Sequence, residues 1–457
     1  MKGLIPLSSI RGFFPSLDSH LSKLTAIEGE ITMRKGWESS QKGTNRGLRR
    51  QEMAMVLEGI RVLDWTIFQQ GPVAAMMLGD LGADVIKIEE RIGGDLGRGM
   101  VRVAGAMVGG REVTRNPYFE GGNRNKRSLT VDLKKDKGKE IIYKLVEKSD
   151  VFLQNFRMGV AERMGVDYGT LSKYNPRLIY AHSSGWGPKG PDKDSPSADY
   201  TGVARSGLMT ITGEPGMDPL PIQGGIGDQT GAIMTALGVL AALFVRERTG
   251  MGQKVDASIL GGMTFLLGLP VCFCTMASLW GIRIARKTAG NPLWNHYKCG
   301  DDKWVALAHL SPDKFWPIVC RSMGLEELEK DPRFDSMDNR TKNSQQLTAI
   351  LDETFATRTR DEWAKIFKEN GVIYAPVNNI KELTEDPQVL ANDYLTEFDH
   401  PVFGRMKTIG FPITFEKTPM SIRREAPEFG QHTEEILTEI LGYTWDDIAQ
   451  LKEEEVI

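Results

Sequence analysis

GIRVLDWTIFQQGPVAAMMLGDLGADVIKIE, residues 59–89, changes its hydrophobic rhythm twice. Its opening, GIRVLDWT (59–66), is a short apolar run with β-branched residues and reads as a buried strand. Gly71-Pro72 opens a helical pattern, VAAMMLGDLG, and ADVIKIE (83–89) returns to a strand. Strand, helix and strand in so short a span are the signature of parallel strands joined by crossover helices. The rhythm recurs downstream. Residues 137–148 read as an amphipathic helix and DVFLQNF (150–156) as the strand after it. A helix near 159–164 leads, after a loop, to the strand RLIYAHSS (177–184). Asp228 then begins a long apolar helical pattern, DQTGAIMTALGVLAALFVRER, with Gly250 placed as its stop and KVDAS (254–258) as the next strand.

Beyond Arg283 the composition changes. WVALAHL (304–310) reads as a strand, helical patterns fill 311–369, and GVIYAPVNNIKELTEDPQV (371–389) is expected to return to the first sheet. The expected division is a leader over 1–55, a large domain over 56–258 and 372–457, an apolar linker over 259–283 and a small domain over 284–371. The leader is polar with little periodicity and carries Arg46, Arg49 and Arg50. Glu28 and Glu30 do not suit a transit peptide, and no apolar signal core is present. It is expected to be disordered or outside the native chain, with Met53 or Met55 as the true start.

At 457 residues and 40% hydrophobic content the chain can build a large core. Lys+Arg of 57 against Asp+Glu of 60, a net charge of −3, gives no basic excess of the kind nucleic acid requires. The histidines show no HExxH or similar spacing, so no metal site is expected. Cys272, Cys274, Cys299 and Cys320 form no CxxC pair and no disulfide framework, which suits a reducing cytoplasm. Residues 257–282 carry no charge and are long enough for a membrane helix. Gly261, Gly262, Gly268 and Pro270, and the lack of a second span, favour instead a helix and linker buried against another protein chain, with no membrane partner.

Several stretches, in order, resemble the family III (CaiB/BaiF) CoA-transferases. They are residues 59–89, NRNKRSLTVDLK (123–134), DVFLQNFRMGVAERMG (150–165), YAHSSGWGPKGP, DYTGVARSGLMTITG (199–213), GGIGDQTGAIMTALGVLAAL and ERTGMGQKVDASIL. The resemblance implies an α/β fold with a large Rossmann-like parallel-sheet domain and a smaller α+β domain, in an interlocked homodimer. It implies acyl-CoA and carboxylic acid substrates, with CoA thioesters as substrates rather than a permanently bound cofactor.

From pattern alone, Asp228 is an N-cap, a carboxylate accepting backbone N–H bonds at the helix start. By resemblance it is the nucleophile that attacks the acyl-CoA carbonyl and carries CoA as an aspartyl thioester. The two roles are compatible, since a helix start favours the ionised, attacking form. Gln69 and Gln70 are polar loop residues that, by resemblance, touch the thiol end of CoA, where an amide stabilises an oxyanion. Asn155, Phe156 and Arg163 match the family's CoA-contacting NF…R pattern, and Asp132, Leu133 and Lys134 a second contact segment. Taken singly, Phe156 reads as core and Arg163 and Lys134 as solvated charges. Formyl-CoA transferases place an arginine directly after the IE of the second strand. Here that residue is Glu90, with Arg91 next.

The family's racemase branch places a histidine directly before the aspartate of the DY phrase. Here that position is Ala198, which argues against a racemase or other CoA-ester isomerase, because racemisation needs a base on each face of the α-carbon. Asp199 remains, either near the thioester or as a cap between loop and helix. A nucleotide-binding module without chemistry is a further alternative, but Gly225, Gly227 and Gly231 do not have GxGxxG spacing and no clear strand precedes them.

Overall fold

The strand–helix–strand unit forms where the sequence places it. Strand β1 (Arg61–Trp65) pairs in parallel with β2 (Asp84–Glu89), with Val62 opposite Val85 and Leu63 opposite Ile86. Helix α1 (Gln70–Asp80) connects them and is buried along nearly its whole length. The computed structural model describes residues 55–103, 106–107, 115–279 and 283–457. The expected leader up to residue 54, with Met53, lies outside them, as does the end of the uncharged run at 280–282.

Four further strands complete the large sheet: β3 (Lys126–Thr130), β4 (Val151–Gln154), β5 (Ile179–Ser184) and β6 (Gln253–Ser258). All neighbours are parallel, in the order β3-β2-β1-β4-β5-β6. This is the doubly wound order, in which the chain leaves β1 toward one edge and later returns to its other side at β4. Loops leaving the carboxyl ends of β1 and β4 therefore diverge and open a crevice where ligands bind.

Apolar layers cover both faces of the sheet. Helix α2 (Pro117–Asn123) lies beside α1; on one face, Ile141, Ile142 and Leu145 of α3 (Asp136–Glu147) pack with Ile436, Leu437, Ile448 and Leu451 from the C-terminal helices. On the other, Val73, Ala74 and Leu78 of α1 meet Ala232, Val239 and Leu243 of a long helix, Ile226–Thr249. That helix ends at Gly250, whose φ of 75° closes it as the sequence predicts.

A separate core lies beneath a three-stranded antiparallel sheet. Strands β7 (Trp294–Lys298), β8 (Trp304–Ala308) and β9 (Tyr374–Val377) are ordered β9-β8-β7 and cover Tyr297, Trp316, Phe355, Trp363 and Phe367. Here the expectation for residues 371–389 is corrected. Tyr374 pairs with Leu307 and Pro376 with Val305, so the segment completes the small sheet and does not return to the large one. Pro376 has no N–H for a ladder, and β9 is an edge strand, where proline is tolerated. The chain rejoins the large core at Phe411 and again at Thr433–Glu439.

Candidate active site

A cleft of about 1280 Å³ opens at the carboxyl ends of β1, β4 and β5. Among the segments that line it are the loop after β1 (Ile67, Phe68, Gln69, Gln70), the loop after β4 (Asn155, Phe156, Arg157), the β5 end (Ser183, Ser184, Trp186), and the start of the long helix with its preceding loop (Gln223, Gly225, Asp228). Its size exceeds the usual range for small-molecule pockets and suits an elongated ligand.

Asp228 is the third residue of the long helix, not its cap; the N-cap is Gly225, with φ 69° and no side chain to offer. The missing cap comes from outside. Helix α4 (Asp199–Ser206) presents Asp199, whose Oδ1 accepts from Gly227 N at 2.7 Å and from Asp228 N at 3.0 Å. Asp199 thereby takes the role the sequence pattern gave Asp228, satisfying two of the amide groups that a helix start leaves unpaired. We label the long helix α5 (Ile226–Thr249).

With its helix start capped by Asp199, Asp228 keeps its own carboxylate uncommitted: the group accepts no hydrogen bond among the described residues. Burial, with the added repulsion of Asp199, pushes its pKa up to about 7. Tyr118 of α2 feels the same field. Burial first, then Asp228, Asp95 and Asp199, raise its pKa and hold its hydroxyl protonated.

The β1 loop comes against the start of α5. A Cβ on Gly225 would stand 2.5 Å from Gln69 Nε2, and one on Gly231 2.4 Å from Gln70 Nε2, so a side chain at either position would push the glutamine amide away. Gln70 Nε2 also donates to Ser184 O at 3.3 Å. Asn155 is occupied by the same loop, accepting from Ile67 N at 2.9 Å and donating to Ile67 O at 2.8 Å. Phe156 packs its ring on Trp65, with centroids 4.2 Å apart. Arg157, Arg163 and Lys193 are exposed cations on the cleft wall, and none has an ion pair among the described residues.

Comparison with known proteins decides the family. The profile of CoA-transferase family III matches residues 57–433. The chain belongs to CoA-transferase family III. The transferase is 32% identical over 404 residues to (R)-2-hydroxy-4-methylpentanoate CoA-transferase of Clostridioides difficile, covering 88% of this chain and 100% of that one. It is 33% identical over 401 residues to succinyl-CoA:glutarate CoA-transferase of Homo sapiens, covering 86% and 88%. Among solved structures, a CaiB/BaiF family protein from Brucella suis superposes with a TM-score of 0.74 at 28% identity, over 85% of this chain and 100% of that one.

The transferase brings seven of the sequence-predicted residues to one cleft: Gln69, Gln70, Asn155, Phe156, Arg163, Asp199 and Asp228. Asp132, Leu133 and Lys134 do not line it. They follow β3, two strands away from β1. Leu133 is buried in the core, Asp132 Oδ1 accepts from Lys134 N at 2.9 Å, and the Lys134 side chain is exposed. Glu90 closes a local turn, accepting from Ile92 N and Gly93 N, while Arg91 pairs with Glu455 at 3.3 Å. Sequence reading missed Tyr118, Arg157 and Trp186 as cleft residues. Arg157 directly follows the Asn155-Phe156 pair, and that adjacency was its one signal. Tyr118 enters the cleft through α2, a short helix without apolar periodicity.

Proposed function

We propose that the transferase moves CoA from an acyl-CoA donor to a carboxylic acid acceptor through an aspartyl-CoA thioester on Asp228. The observation that carries this reading is the uncommitted, half-buried carboxylate in the cleft. It accepts no hydrogen bond among the described residues and faces no cation, while its helix is capped by Asp199. In its ionised form the carboxylate adds to the thioester carbonyl. The C–S bond breaks and leaves an aspartyl–acyl mixed anhydride and CoA thiolate. The thiolate attacks the aspartyl carbonyl carbon, forming the aspartyl-CoA thioester and releasing the donor's acid. The acceptor carboxylate then runs the two steps in reverse, so CoA changes partner without hydrolysis.

In this reading the Gln69 amide, beside the start of α5, donates to the oxyanion that forms at each attack. Arg157 and Arg163 take the CoA phosphates, and the crevice between β1 and β4 receives the nucleotide end. Racemisation is not favoured, since Ala198 offers no second base beside Asp199. The direct test incubates the protein with succinyl-CoA or acetyl-CoA and a mixed pool of carboxylic acids, then identifies new thioesters by mass. New acyl-CoA species are expected. Their absence, or deuterium entering the α-carbon from heavy water without CoA exchange, would count against transfer.

Assembly belongs to the same proposal. Helices Ile259–Leu266 and Gly268–Ala277 meet at a 69° bend, and the second buries none of its residues. Phe265 is 76% exposed and Met276 83%. Together these helices are long and apolar enough to cross a membrane, as is α5. But α5 lays Ala232, Ala236 and Val239 on the sheet core and carries Asp228 into the cleft. We assign the exposed apolar face to a second copy of the chain, in the interlocked homodimer that the family resemblance implies. Sedimentation at nanomolar concentration should show a dimer; a monomer would contradict it.

A further inference from the structure

The loop that carries Gln69 turns through a left-handed residue. Phe68 has φ 65°, a conformation that costs a bulky side chain energy and persists only where the surroundings over-determine it. Three polar side chains hold it there by its backbone. Lys87 Nζ donates to Thr66 O at 2.9 Å, Asn155 pairs with both polar groups of Ile67, and Asp95 Oδ1 accepts from Phe68 N at 3.0 Å. Thr66, Ile67 and Phe68 are each pinned in turn.

Two of the three anchors are themselves an ion pair. Lys87 Nζ lies 2.8 Å from Asp95 Oδ2, and both side chains are fully buried. Their opposite charges attract across that short distance, out of contact with water. Burial opposes charge on both groups. For Lys87 it is outweighed by Asp95, Asp64 and Glu89; for Asp95 it is outweighed by Lys87 and the N–H groups of Phe68 and Gly97. A buried pair of this kind adds little net stability over apolar residues of similar volume. Stability therefore gives no account of its presence, whereas its grip on the loop does.

We infer that Lys87 and Asp95 are positioning residues for CoA transfer: by pinning Thr66 and Phe68 they hold the strained bend that sets Gln69 against the start of the helix bearing Asp228. The inference rests on the transferase reading above. It does not require either residue to touch substrate, and neither lines the cleft.

The test is a double-mutant cycle between Asp95→Ala and Phe68→Gly, with kcat and KM for the acyl-CoA measured for each variant. Glycine adopts positive φ without strain, so the bend needs less holding once Phe68 is replaced. Asp95→Ala alone should lower kcat about 10- to 100-fold while KM moves less than about threefold. In the Phe68→Gly background the same change should cost less than about fivefold. Equal losses in the two backgrounds, or a loss confined to KM, would overturn the inference. If Asp95→Ala does not fold, Asp95→Asn takes its place in the cycle. Asparagine keeps an oxygen for Phe68 N but removes the charge facing Lys87, and wild-type kcat in that variant would also overturn the inference. Adduct formation on Asp228 separates the two readings. If the wild type forms the CoA adduct and Asp95→Ala forms it at the same rate, only the positioning role falls. If the wild type forms none, the nucleophile falls and takes the positioning role with it.

Discussion

Beneath the β1 loop and across the cleft from it, carboxylates sit in two opposite settings. Under the loop, Asp64 and Asp95 are fully buried, each with an ammonium group 2.8 Å away, from Lys126 and Lys87. Lys126 also donates to Pro72 O and Asn123 Oδ1, and burial nevertheless pulls its pKa down to about 8. Across the cleft, Asp228 has another carboxylate for a neighbour and no cation, and its pKa is pushed up to about 7. The same side-chain chemistry serves as a fixed anchor in one place and, in the proposed mechanism, as the nucleophile in the other. What separates them is whether a counter-charge has been supplied. A carboxylate without one is raised in energy while ionised, which favours its reaction with an electrophile.

Substitution of Asp228 breaks the contrast most severely. Asp228→Asn leaves a similar shape on a helix that Asp199 still caps, but an amide is a poor nucleophile. Transfer should fall by more than about 10³-fold in a steady-state assay, with the melting temperature kept or raised. The gain in stability is expected only at higher pH. A carboxyl whose folded pKa is raised binds its proton more tightly in the folded state, so its ionisation lowers stability as pH rises from about 4 through 7. Removing it should help above that window and change little below it.

The unpaired setting also fixes the pH profile. The attacking form is ionised, so kcat/KM should decline below pH 7 by about tenfold per unit. A flat profile between pH 5 and 8, measured in that range on a folded enzyme, would place the ionisation of Asp228 elsewhere. The cation end of the cleft should respond through binding instead. Arg163→Ala should raise KM for CoA esters about 5- to 150-fold, the loss of about 1–3 kcal/mol for a charge-assisted contact, with a smaller effect on kcat. An unchanged KM for every CoA ester would return Arg163 to solvent. The smallest effect sharpens the comparison. Asp199→Asn retains an oxygen to cap Gly227 N and Asp228 N while removing the like charge. The acid limb should then move down only part of the way toward the ordinary carboxylate range, since burial is the larger cause of the raised pKa.

The parallel sheet was legible because β1, β2, β4 and β5 are apolar runs separated by helical periodicity. Strand β3 was harder. Its sequence, KRSLT, begins with two cations, which ordinarily mark a surface. Lys126 and Arg127 are buried instead, because Asp64 and Asp84 meet them from β1 and β2, and no local pattern reports such partners. The small-domain strand β9 was misplaced for a similar reason: four residues with a proline do not say which sheet they join. Asp228 could be singled out by its glycine-flanked place in an ordered set of motifs, and it does line the cleft, but its role as N-cap was misread. The cap came from Asp199, 29 residues earlier along the chain. The Lys87–Asp95 pair was invisible, since the strand DVIKIE and the turn GGD carry no sign that they meet beneath a third loop.

The central claim is that Asp228 forms a covalent bond to CoA, and intact-protein mass spectrometry reads it directly. The enzyme incubated with acyl-CoA and no acceptor acid should gain the mass of CoA less water, with the donor's acid released. The added mass should be lost on treatment with hydroxylamine, which cleaves thioesters, and should map to the peptide holding Asp228. Asp228→Asn should show no adduct while remaining folded. An adduct that persists in that variant, or wild-type enzyme that transfers CoA with none ever forming, would contradict the account.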